Sequence, residues 1–394
     1  MKILWLSPLF PYPPFSGGQT RNFNLIKGLT KNGHQISLFS FWRPNRRQGP
    51  KGEMEKYCTK VKIFSGRKTW SLRNVLLSGF SLLPFPISHF YGDKNLSAAL
   101  KKEVSSGDYD LIHFESFYTS PYLSKNFNLP QVLGNENIEY RIYRRFANSK
   151  ANLLLKLALL FDTEKMKRFE EKKWRQADLN LAVSKKDAVE IEKVTGKKCP
   201  VVANGVDLAF FEKIKTQKPA IPTFLFVGDF RYFTNQDAVA FLVKKVWPLI
   251  KKQLPDSRLW LVGKNAPKEI LALAGQDILI DQNIEDIRLA YKQSTILLAP
   301  IRLGSGTNIK VLEALASGLP VVTTPVGLEG IEASQAVVLA KKEQDFASRA
   351  ITLAKNRQRQ IQLSRLGKQI ISQNYDWSKI TADLEKAYLS LAKK

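Results

Sequence analysis

At 394 residues the chain is too long for a single compact hydrophobic core, and its length predicts two domains of roughly 200 residues each. Hydrophobic residues make up 44% and charged residues 24%, which is typical of a chain that folds and excludes a disordered one. The net charge of +26 favours an anionic partner (nucleic acid, an acidic membrane surface or a phosphorylated substrate) without choosing among these.

Apolar runs in the first half of the chain predict six strands separated by helical segments such as 95–105 and 144–176. The first strand ends at Leu6, and the others span residues 33–39, 61–64, 111–114, 132–133 and 179–183. A Pro-rich loop, the adjacent Gly17 and Gly18, and an amphipathic helix follow the first strand. This spacing differs from the dinucleotide fingerprint G-x-G-x-x-G, so a dehydrogenase is not expected.

The second half repeats the alternation after a turn at 201–207 and a polar linker. Its predicted strands are 223–227, 258–262, 278–280, 296–299, 321–322 and 337–338. Its predicted helices are 237–253, 268–274, 285–291, 308–317 and 342–354, with 378–392 left over. Strands alternating with helices predict an α/β protein with two doubly wound parallel sheets, in which ligands bind at the carboxyl ends of the strands.

These patterns divide the chain into an N-terminal domain at 1–205 and a C-terminal domain at 206–377, and we expect the helix 378–392 to pack back on the first domain. Cys58 and Cys199 match no metal spacing, so free structural thiols in a reducing cytoplasm are expected. The N-terminus is too short an apolar run for a signal peptide, and no apolar stretch approaches the ~20 residues that span a membrane.

The glycine-rich stretch 304–318 lies between two predicted buried strands and opens a helix. The first backbone N–H groups of a helix have no partner within it, so this turn predicts an anion site suited to phosphate. Lys310 adds a cation in the first turn, and Glu313, one turn on, has oxygens that accept hydrogen bonds from ribose hydroxyls. The alternative is a plain helix cap with a solvated Lys and Glu.

Several segments, in the same order along the chain, resemble glycosyltransferase family 4, the retaining group-1 transferases of the GT-B fold. They are residues 11–18, 182–187, 204–207, 226–229 and 304–313, together with a Gly-x-x-x-Tyr-x-x-Asn-x-Asp element at 228–237. The resemblance covers nearly the whole chain. It implies two Rossmann-like domains that face each other across a cleft, with a nucleoside-diphosphate sugar bound on the C-terminal one.

The resemblance also implies roles for individual residues. The last Glu of the motif, Glu313, would bind the ribose, and the backbone around Gly306 would bind the diphosphate. Gly18 would contact the phosphates from the other domain, and Asn283 would lie beside the base. The donor-binding residues implied in this way are Gly17, Gly18, Gly228, Asn283, Gly306, Thr307, Asn308 and Glu313. No cofactor is implied beyond the donor, a UDP or GDP sugar being expected. The one Asp-x-Asp, at 108–110, precedes its strand, so we predict no bound metal.

The chain departs from the family pattern at positions that matter for catalysis. Ser305 stands where the family has the first of two Glu, and Glu115 stands where many members have a second His. Asp229 and Thr234 replace a usual Arg and Lys, which leaves Lys310 as the first replacement cation, with Arg231, Lys264 and Arg302 as weaker candidates. Our catalytic candidates are therefore Glu115, Lys310 and Ser305, the alternative for Glu115 being a solvated loop residue.

The basic residues suggest a location. Lys and Arg are concentrated in 141–175, and Trp70, Leu72 and Leu76 would add apolar contacts if exposed. Because acceptors in the resembled family are often lipid-linked, this predicts peripheral association with the anionic inner face of the cytoplasmic membrane. No nucleic-acid-binding module accompanies the charge, so nucleic acid is not expected as a partner.

These observations predict a retaining glycosyltransferase that moves a sugar from a nucleoside-diphosphate sugar to a saccharide or lipid-linked acceptor, in cell-surface polysaccharide or glycolipid synthesis. In the resembled family the leaving phosphate itself takes the acceptor proton. Two alternatives stay open: a nucleotide-sugar epimerase of similar fold, and a catalytically silent nucleotide-sugar-binding subunit, which Ser305 and Glu115 make conceivable.

Overall fold

The computed structural model describes residues 1–14, 16–42, 51–65, 83–84, 87, 93–148, 152–213, 219–303 and 306–391. The chain forms two compact units. Unit 1 comprises Met1–Ala203 together with Trp377–Lys394, and unit 2 comprises Asn204–Asp376. Ser305, one of the catalytic candidates, lies outside the described residues, as do Trp70, Leu72 and Leu76.

Unit 1 is built on a six-stranded parallel sheet flanked by helices. The strands are β1 (Lys2–Ser7), β2 (Gln35–Trp42), β3 (Lys60–Ser65), β4 (Leu111–Glu115), β5 (Gln131–Asn135) and β6 (Leu179–Ala182). The helices are α1 (Gly17–Lys31), α2 (Lys51–Glu55), α3 (Lys94–Ser106), α4 (Glu139–Asn148), α5 (Leu153–Gln176), α6 (Lys185–Thr195) and α15 (Trp377–Leu389), with a 3-10 helix at Phe117–Tyr122.

The strand order in unit 1 is β3-β2-β1-β4-β5-β6, and every pair is parallel. Side chains of β1 alternate between the two faces of the sheet. Leu4 and Leu6 join a hydrophobic core with Trp174, whereas Ile3 and Trp5 join a second core on the opposite face. Both faces are therefore covered, as parallel sheets require.

The last helix of the chain, α15, belongs to the core of unit 1. Its Ile380, Leu384 and Tyr388 pack in the same hydrophobic cluster as Leu25 and Leu29 of α1. Any side chain at position 28 of α1 would collide with Thr381, so a glycine there lets the two helices approach closely. The chain thus returns to its first unit after completing the second.

Unit 2 repeats the architecture. Its strands are β7 (Thr223–Val227), β8 (Arg258–Val262), β9 (Ile278–Asp281), β10 (Ile296–Ala299), β11 (Val321–Thr323) and β12 (Val338–Leu339). Its helices are α7 (Leu208–Glu212), α8 (Phe233–Phe241), α9 (Trp247–Gln253), α10 (Lys268–Leu271), α11 (Ile287–Lys292), α12 (Ile309–Ser317), α13 (Glu343–Lys355) and α14 (Arg357–Asn374). A π-helical turn, Leu242–Val246, joins α8 to α9, and Ser334–Ala336 forms a 3-10 helix.

The strand order in unit 2 is β12-β11-β10-β7-β8-β9, again fully parallel. Counted from the first strand of each unit, both sheets have the order 3-2-1-4-5-6 of doubly wound nucleotide-binding folds. The predicted α/β class and all twelve predicted strands are confirmed. The order reverses direction between β1 and β4 in unit 1, and between β7 and β10 in unit 2.

The structure corrects the predicted helix 144–176 and adds helix α14. The predicted helix 144–176 is two helices, because Asn152 caps α5 by accepting a hydrogen bond from the Leu155 N–H. Helix α14 was not predicted, since its sequence is mostly polar and contains Gly367, a residue that weakens helices. In the fold Gly367 lies against Leu315 of α12, where a larger residue would collide.

Candidate functional site

The reversal point of the unit 2 sheet gathers most of the predicted donor-binding residues. Strand β7 pairs with β10 there, and ligands in such sheets bind at the carboxyl ends of the two strands. Gly228 directly follows β7, and the glycine-rich turn that opens α12 follows β10. The sheet topology therefore brings together segments about 75 residues apart in sequence, the separation of Asn235 and Lys310.

The first group at this point is a triad of Gly228, Asn235 and Lys310. A Cβ added to Gly228 would lie 2.8 Å from the Asn235 side chain, so only glycine leaves room for that amide. Asn235 Nδ2 donates to the Asp229 carbonyl at 2.8 Å, and Asn235 Oδ1 accepts from Lys310 Nζ at 2.8 Å. The amine also lies 4.4 Å from the centroid of the Phe226 ring. These contacts fix the Lys310 amine beside the end of β7.

Lys310 and Glu313 are one helical turn apart, and burial shifts their pKa values in opposite directions. Burial lowers the pKa of Lys310 to about 7, against the opposing charge of Glu313. Burial raises the pKa of Glu313 to about 7, against the Tyr291 hydroxyl, which donates to Glu313 Oε2 at 2.6 Å, and against the Lys310 charge. Both side chains nevertheless keep some solvent exposure. A charged ligand can therefore reach both groups.

The N-terminus of α12 has no side-chain cap from Asn308, whose amide donates instead to the Gly327 carbonyl at 3.1 Å. Gly306 has φ = 83°, a left-handed conformation that favours glycine. The buried hydroxyl oxygen of Thr307 has no hydrogen-bond partner among the residues described. Backbone N–H groups at a helix start, an unpartnered hydroxyl and a nearby amine together suit an anion.

Asn283 and two of the weaker candidate cations, Arg231 and Arg302, each have a partner elsewhere in unit 2. Asn283 is exposed after the edge strand β9, which β7 and β8 separate from β10, and its N–H donates to Asp281 Oδ1 at 2.9 Å. Arg302 pairs with Asp237 at 2.6 Å, and Arg231 is bound to Asp229. The structure brings Gly228, Gly306, Thr307, Asn308, Lys310 and Glu313 together at the reversal point, and leaves Asn283 at the edge.

In unit 1 the corresponding reversal point holds Glu115, the last residue of β4, within a buried network. Arg21 Nε donates to Glu115 Oε1 at 2.7 Å, and His113 Nε2 lies 2.5 Å from Glu115 Oε2. The side chain of Glu115 is fully buried and that of Arg21 is 2% exposed. The alternative of a solvated loop residue is therefore wrong. Both oxygens of this candidate catalytic carboxylate already have partners inside unit 1.

The protonation states in this network are mutually consistent. Burial acts to raise the pKa of Glu115, but the Arg21 charge and the His113 contact outweigh it and hold the pKa at about 2. Burial lowers the pKa of His113, so its ring is neutral. An ionised Glu115 accepts from His113 Nε2–H, which leaves Nδ1 to accept from the Tyr388 hydroxyl at 2.7 Å. Trp5 stacks on the same imidazole with ring centroids 3.9 Å apart.

Gly17 and Gly18 form the first turn of α1, above the end of β1. The Ser16 side chain does not cap this helix but donates to Gln19 Oε1 at 2.9 Å. A Cβ added to Gly18 would lie 2.8 Å from Glu136 Oε2, so this glycine leaves room for a carboxylate. The fold itself therefore requires glycine at position 18, independently of the phosphate contact that the family resemblance implies.

Glu136 is a residue that the sequence interpretation missed. It follows β5 at the carboxyl edge of the sheet, and Asn22 Nδ2 donates to its Oε1 at 3.3 Å. Burial raises the pKa of Glu136 to about 8, and the negative charge of Glu115 acts in the same direction. The available signal was its position three residues after the predicted strand 132–133, which in the structure extends to Asn135.

Comparison with protein families divides the chain in nearly the same way as the two compact units do. Residues 15–210 match the family described as Glycosyltransferase Family 4, and residues 221–356 match the one described as Glycosyl transferases group 1. The chain belongs to glycosyltransferase family 4. It is therefore a glycosyltransferase, and its two parallel six-stranded sheets are those of the GT-B fold.

Full-length similarity to individual proteins is distant. An uncharacterized 44.6 kDa protein in a cps region of Klebsiella pneumoniae is 23% identical over 405 residues, covering 98% of this chain and 99% of that protein. Sucrose-phosphate synthase from Thermosynechococcus elongatus superposes with a TM-score of 0.74 at 16% identity, covering 100% and 99% of the two chains. HepE of Anabaena, solved with UDP, gives 0.64 at 16% identity, covering 99% and 100%. At such identities the two structures show the fold alone.

Three further observations concern the Asp-x-Asp sequence, metal clusters and membrane-spanning helices. Asp110 and Asp108 bind the backbone N–H and the amine of Lys2, which confirms their predicted place at the amino end of β4. Over the described ranges there is no cluster of three or more His, Cys, Asp or Glu residues able to hold a metal ion. Among the helices that the structure describes, none combines the length and apolarity needed to cross a bilayer.

Proposed function

We propose that this glycosyltransferase transfers a sugar, with retention of configuration, from a nucleoside-diphosphate sugar to a saccharide or lipid-linked acceptor. The observation that carries the proposal is that Lys310 and Glu313 lie three residues apart on the first turns of α12, at the reversal point of the unit 2 sheet. One group is a cation suited to a diphosphate, and the other is a carboxylate suited to ribose hydroxyls.

The diphosphate would be held by charge and backbone together. The first N–H groups of α12 and the Thr307 hydroxyl would donate to phosphate oxygens, and the Lys310 amine would lie on the β7 side. The leaving group in glycosyl transfer is a nucleoside diphosphate, whose negative charge grows as the glycosidic bond breaks. Donors fixed before the reaction stabilise that charge, so the proposal requires neither a metal nor a further cofactor.

The base we propose is uracil, with guanine as the alternative. The support is that HepE, which shares this fold, was solved with UDP. The Tyr291 hydroxyl donates to Glu313 Oε2, and the other oxygen of this carboxylate would accept from a ribose hydroxyl. The thermal-stabilisation experiment described below distinguishes uracil from guanine.

For the acceptor side we propose Glu136 in place of Glu115. Glu115 has both oxygens bound inside unit 1, whereas Glu136 lies against the turn at Gly18 and keeps some solvent exposure. With a pKa of about 8, Glu136 is largely protonated at neutral pH and donates a hydrogen bond to an acceptor oxygen. The leaving phosphate would take the acceptor proton, so Glu136 orients the acceptor and is not required as a base.

The biological role we propose is synthesis of a cell-surface polysaccharide or glycolipid at the inner face of the cytoplasmic membrane. It is supported by the similarity to the Klebsiella pneumoniae protein of a cps region and by the net charge of +26. This role predicts that transfer, and not hydrolysis of the donor, is the main reaction once the acceptor is supplied.

The test is thermal stabilisation of the purified chain by UDP, GDP, ADP and CMP and by their sugars, in the wild type and in Glu313→Gln. A ligand at about 100 times its dissociation constant adds roughly 2.7 kcal/mol, which is readily seen as a rise in melting temperature. We expect a rise with UDP or GDP that is lost in Glu313→Gln, because the amide keeps the Tyr291 contact but removes the charge. The exposed Glu269→Gln is the matched control and should keep the rise.

No rise with any nucleotide, or an equal rise in both Glu variants, would contradict the site. The two alternatives give different results once a donor is known. An epimerase converts the donor sugar without any acceptor. A silent subunit binds the donor and never releases the diphosphate, even with membrane extracts that supply acceptors.

A further inference from the structure

The start of helix α5 exposes a cluster of large apolar side chains. Leu153, Leu154, Leu155, Leu157 and Phe161 are all exposed, Leu154 to 79% and Phe161 to 62%. Single exposed apolar residues are ordinary, but five within nine residues form a contiguous patch, and patches of this kind mark interaction surfaces.

The patch continues into a row of cations on the same helix face. Leu153, Leu157 and Phe161 are spaced four residues apart and so share a face. Steps of three or four residues extend that face through Lys165, Arg168, Lys172 and Arg175. We call these seven residues the α5 stripe. The buried residues of the helix (Thr163, Met166, Glu170, Lys173 and Trp174) lie on the other side, against unit 1.

The two halves of the stripe touch, and its charge is positive. Lys165 Nζ lies 4.6 Å from the centroid of the Phe161 ring. Glu164 and Glu171 pair with Arg168 and Arg175 at the flank, at 3.3 and 3.5 Å. The whole helix nevertheless carries seven Lys or Arg residues against four Asp or Glu residues. An apolar patch bordered by cations suits a surface that is itself apolar below and anionic above.

Two properties favour a lipid bilayer over a protein as the occupant. Lysine is depleted in protein–protein interfaces, whereas helices that lie in the bilayer interface combine leucine and phenylalanine with lysine and arginine. The apolar half, nine residues long, extends roughly 13 Å at 1.5 Å per residue, far less than the ~30 Å of a hydrocarbon core. It is therefore long enough to insert along the surface and too short to cross.

We propose that the α5 stripe docks this glycosyltransferase on an anionic lipid bilayer. Leu153, Leu157 and Phe161 enter the boundary between headgroups and acyl chains, and the four cations contact lipid phosphates. The inference deepens the proposed function and rests on it in one respect, since a lipid-linked acceptor would lie in the bilayer on which α5 docks. The sequence also suggested apolar membrane contacts by Trp70, Leu72 and Leu76, but these residues lie outside the described part of the chain.

The experiment is co-sedimentation of the full chain with phosphatidylcholine vesicles, with and without phosphatidylglycerol. We expect binding to the anionic vesicles that weakens with added salt, and at least about tenfold weaker binding in Leu157→Gln/Phe161→Gln, because two anchoring side chains are lost. Arg168→Gln/Lys172→Gln should reduce binding to the anionic vesicles. Val189→Gln on α6, which removes a lone apolar residue exposed to 63%, is the matched control and should bind as the wild type does.

Several outcomes would overturn the proposal. One is no binding to anionic vesicles, and another is unchanged binding in Leu157→Gln/Phe161→Gln. A third is a wild-type dimer by light scattering that this variant converts to monomer without any vesicle binding, which would assign the stripe to a second copy of the chain. The vesicle assay contains no nucleotide, and nucleotide stabilisation is measured without vesicles. Failure of docking is therefore distinguishable from failure of the donor site.

Discussion

The reversal points of the two sheets share a topology but differ in how completely their polar groups are paired. In unit 1, Arg21, Glu115, His113 and Tyr388 form a closed chain of contacts in the core. In unit 2, the Thr307 hydroxyl has no partner in the part of the chain that the structure describes, and Asn308 leaves the start of α12 uncapped. The same position in the same fold thus holds paired polar groups in one unit and, among the described residues, an unpaired hydroxyl and an uncapped helix start in the other.

The difference teaches how to separate a structural ion pair from a binding group. Glu115 has its pKa held at about 2 by partners that satisfy it, so its charge is compensated within the protein. Lys310 has its pKa lowered to about 7, because the charge of Glu313 does not offset the cost of burying the ammonium group. A group left at such a disadvantage gains most when a ligand of opposite charge arrives.

The largest expected effect comes from breaking the closed network with Arg21→Met. The substitution leaves the Glu115 carboxylate buried without its cation, and removing one partner of a buried pair costs about 3–5 kcal/mol. We expect a loss of this size in the free energy of unfolding, measured by urea denaturation followed by tryptophan fluorescence. Lys27→Met, which removes an exposed cation from the same helix, should cost less than about 0.5 kcal/mol. Equal losses in the two variants would refute the contrast between the reversal points.

A smaller effect is expected when pH removes the charge of Lys310. With a pKa of about 7 in the ligand-free protein, the amine is charged below pH 7 and neutral above it. A diphosphate favours the charged form, so its affinity should fall by up to about tenfold per pH unit between pH 7 and 9. Isothermal titration calorimetry with UDP measures this slope, and it should disappear in Lys310→Met, which binds more weakly throughout.

The matched ligand for that measurement is uridine, which has no phosphate. Its affinity should not follow the titration of Lys310. A UDP affinity that is flat from pH 7 to 9 in the wild type would place Lys310 away from the diphosphate, while leaving the unit 1 prediction untouched.

The sequence was sufficient for features that depend on neighbours along the chain. The twelve strands are continuous apolar runs, and Lys310 and Glu313 share a turn because they are three residues apart. Gly228 and α12 could also be assigned to one edge of a sheet, since both follow predicted parallel strands. These inferences use the period of the pattern and the direction of the chain, which one sequence contains.

What the sequence could not supply was pairing between distant residues. Arg21 and Glu115 are 94 residues apart, and Tyr388 reaches His113 across 275. Nothing local to Glu115 indicates that a cation will neutralise it in the core, so it resembled an exposed active-site carboxylate. Helix α14 was not predicted for a related reason. Gly367 is unfavourable within an isolated helix, and its value lies in the close contact with Leu315, which is distant in sequence.

The last prediction concerns Glu136, whose environment lies between the two cases. Its pKa is raised from the ordinary value of 4.5 to about 8, so between these pH values the folded state holds a proton that the unfolded state has lost. Its contribution to stability is therefore complete below pH 4.5 and declines as pH rises towards 8, by at most about 1.4 kcal/mol per unit. Glu136→Gln cannot ionise and can still accept from Asn22, so it should lose less stability than the wild type between pH 5 and 8. Urea denaturation at the two pH values measures the difference, and Glu53→Gln, whose carboxyl pairs with Lys56 on the surface, should decline as the wild type does. If Glu136→Gln declines equally, the carboxylate of Glu136 is ionised and compensated like that of Glu115, and unit 1 offers no protonated group to an acceptor.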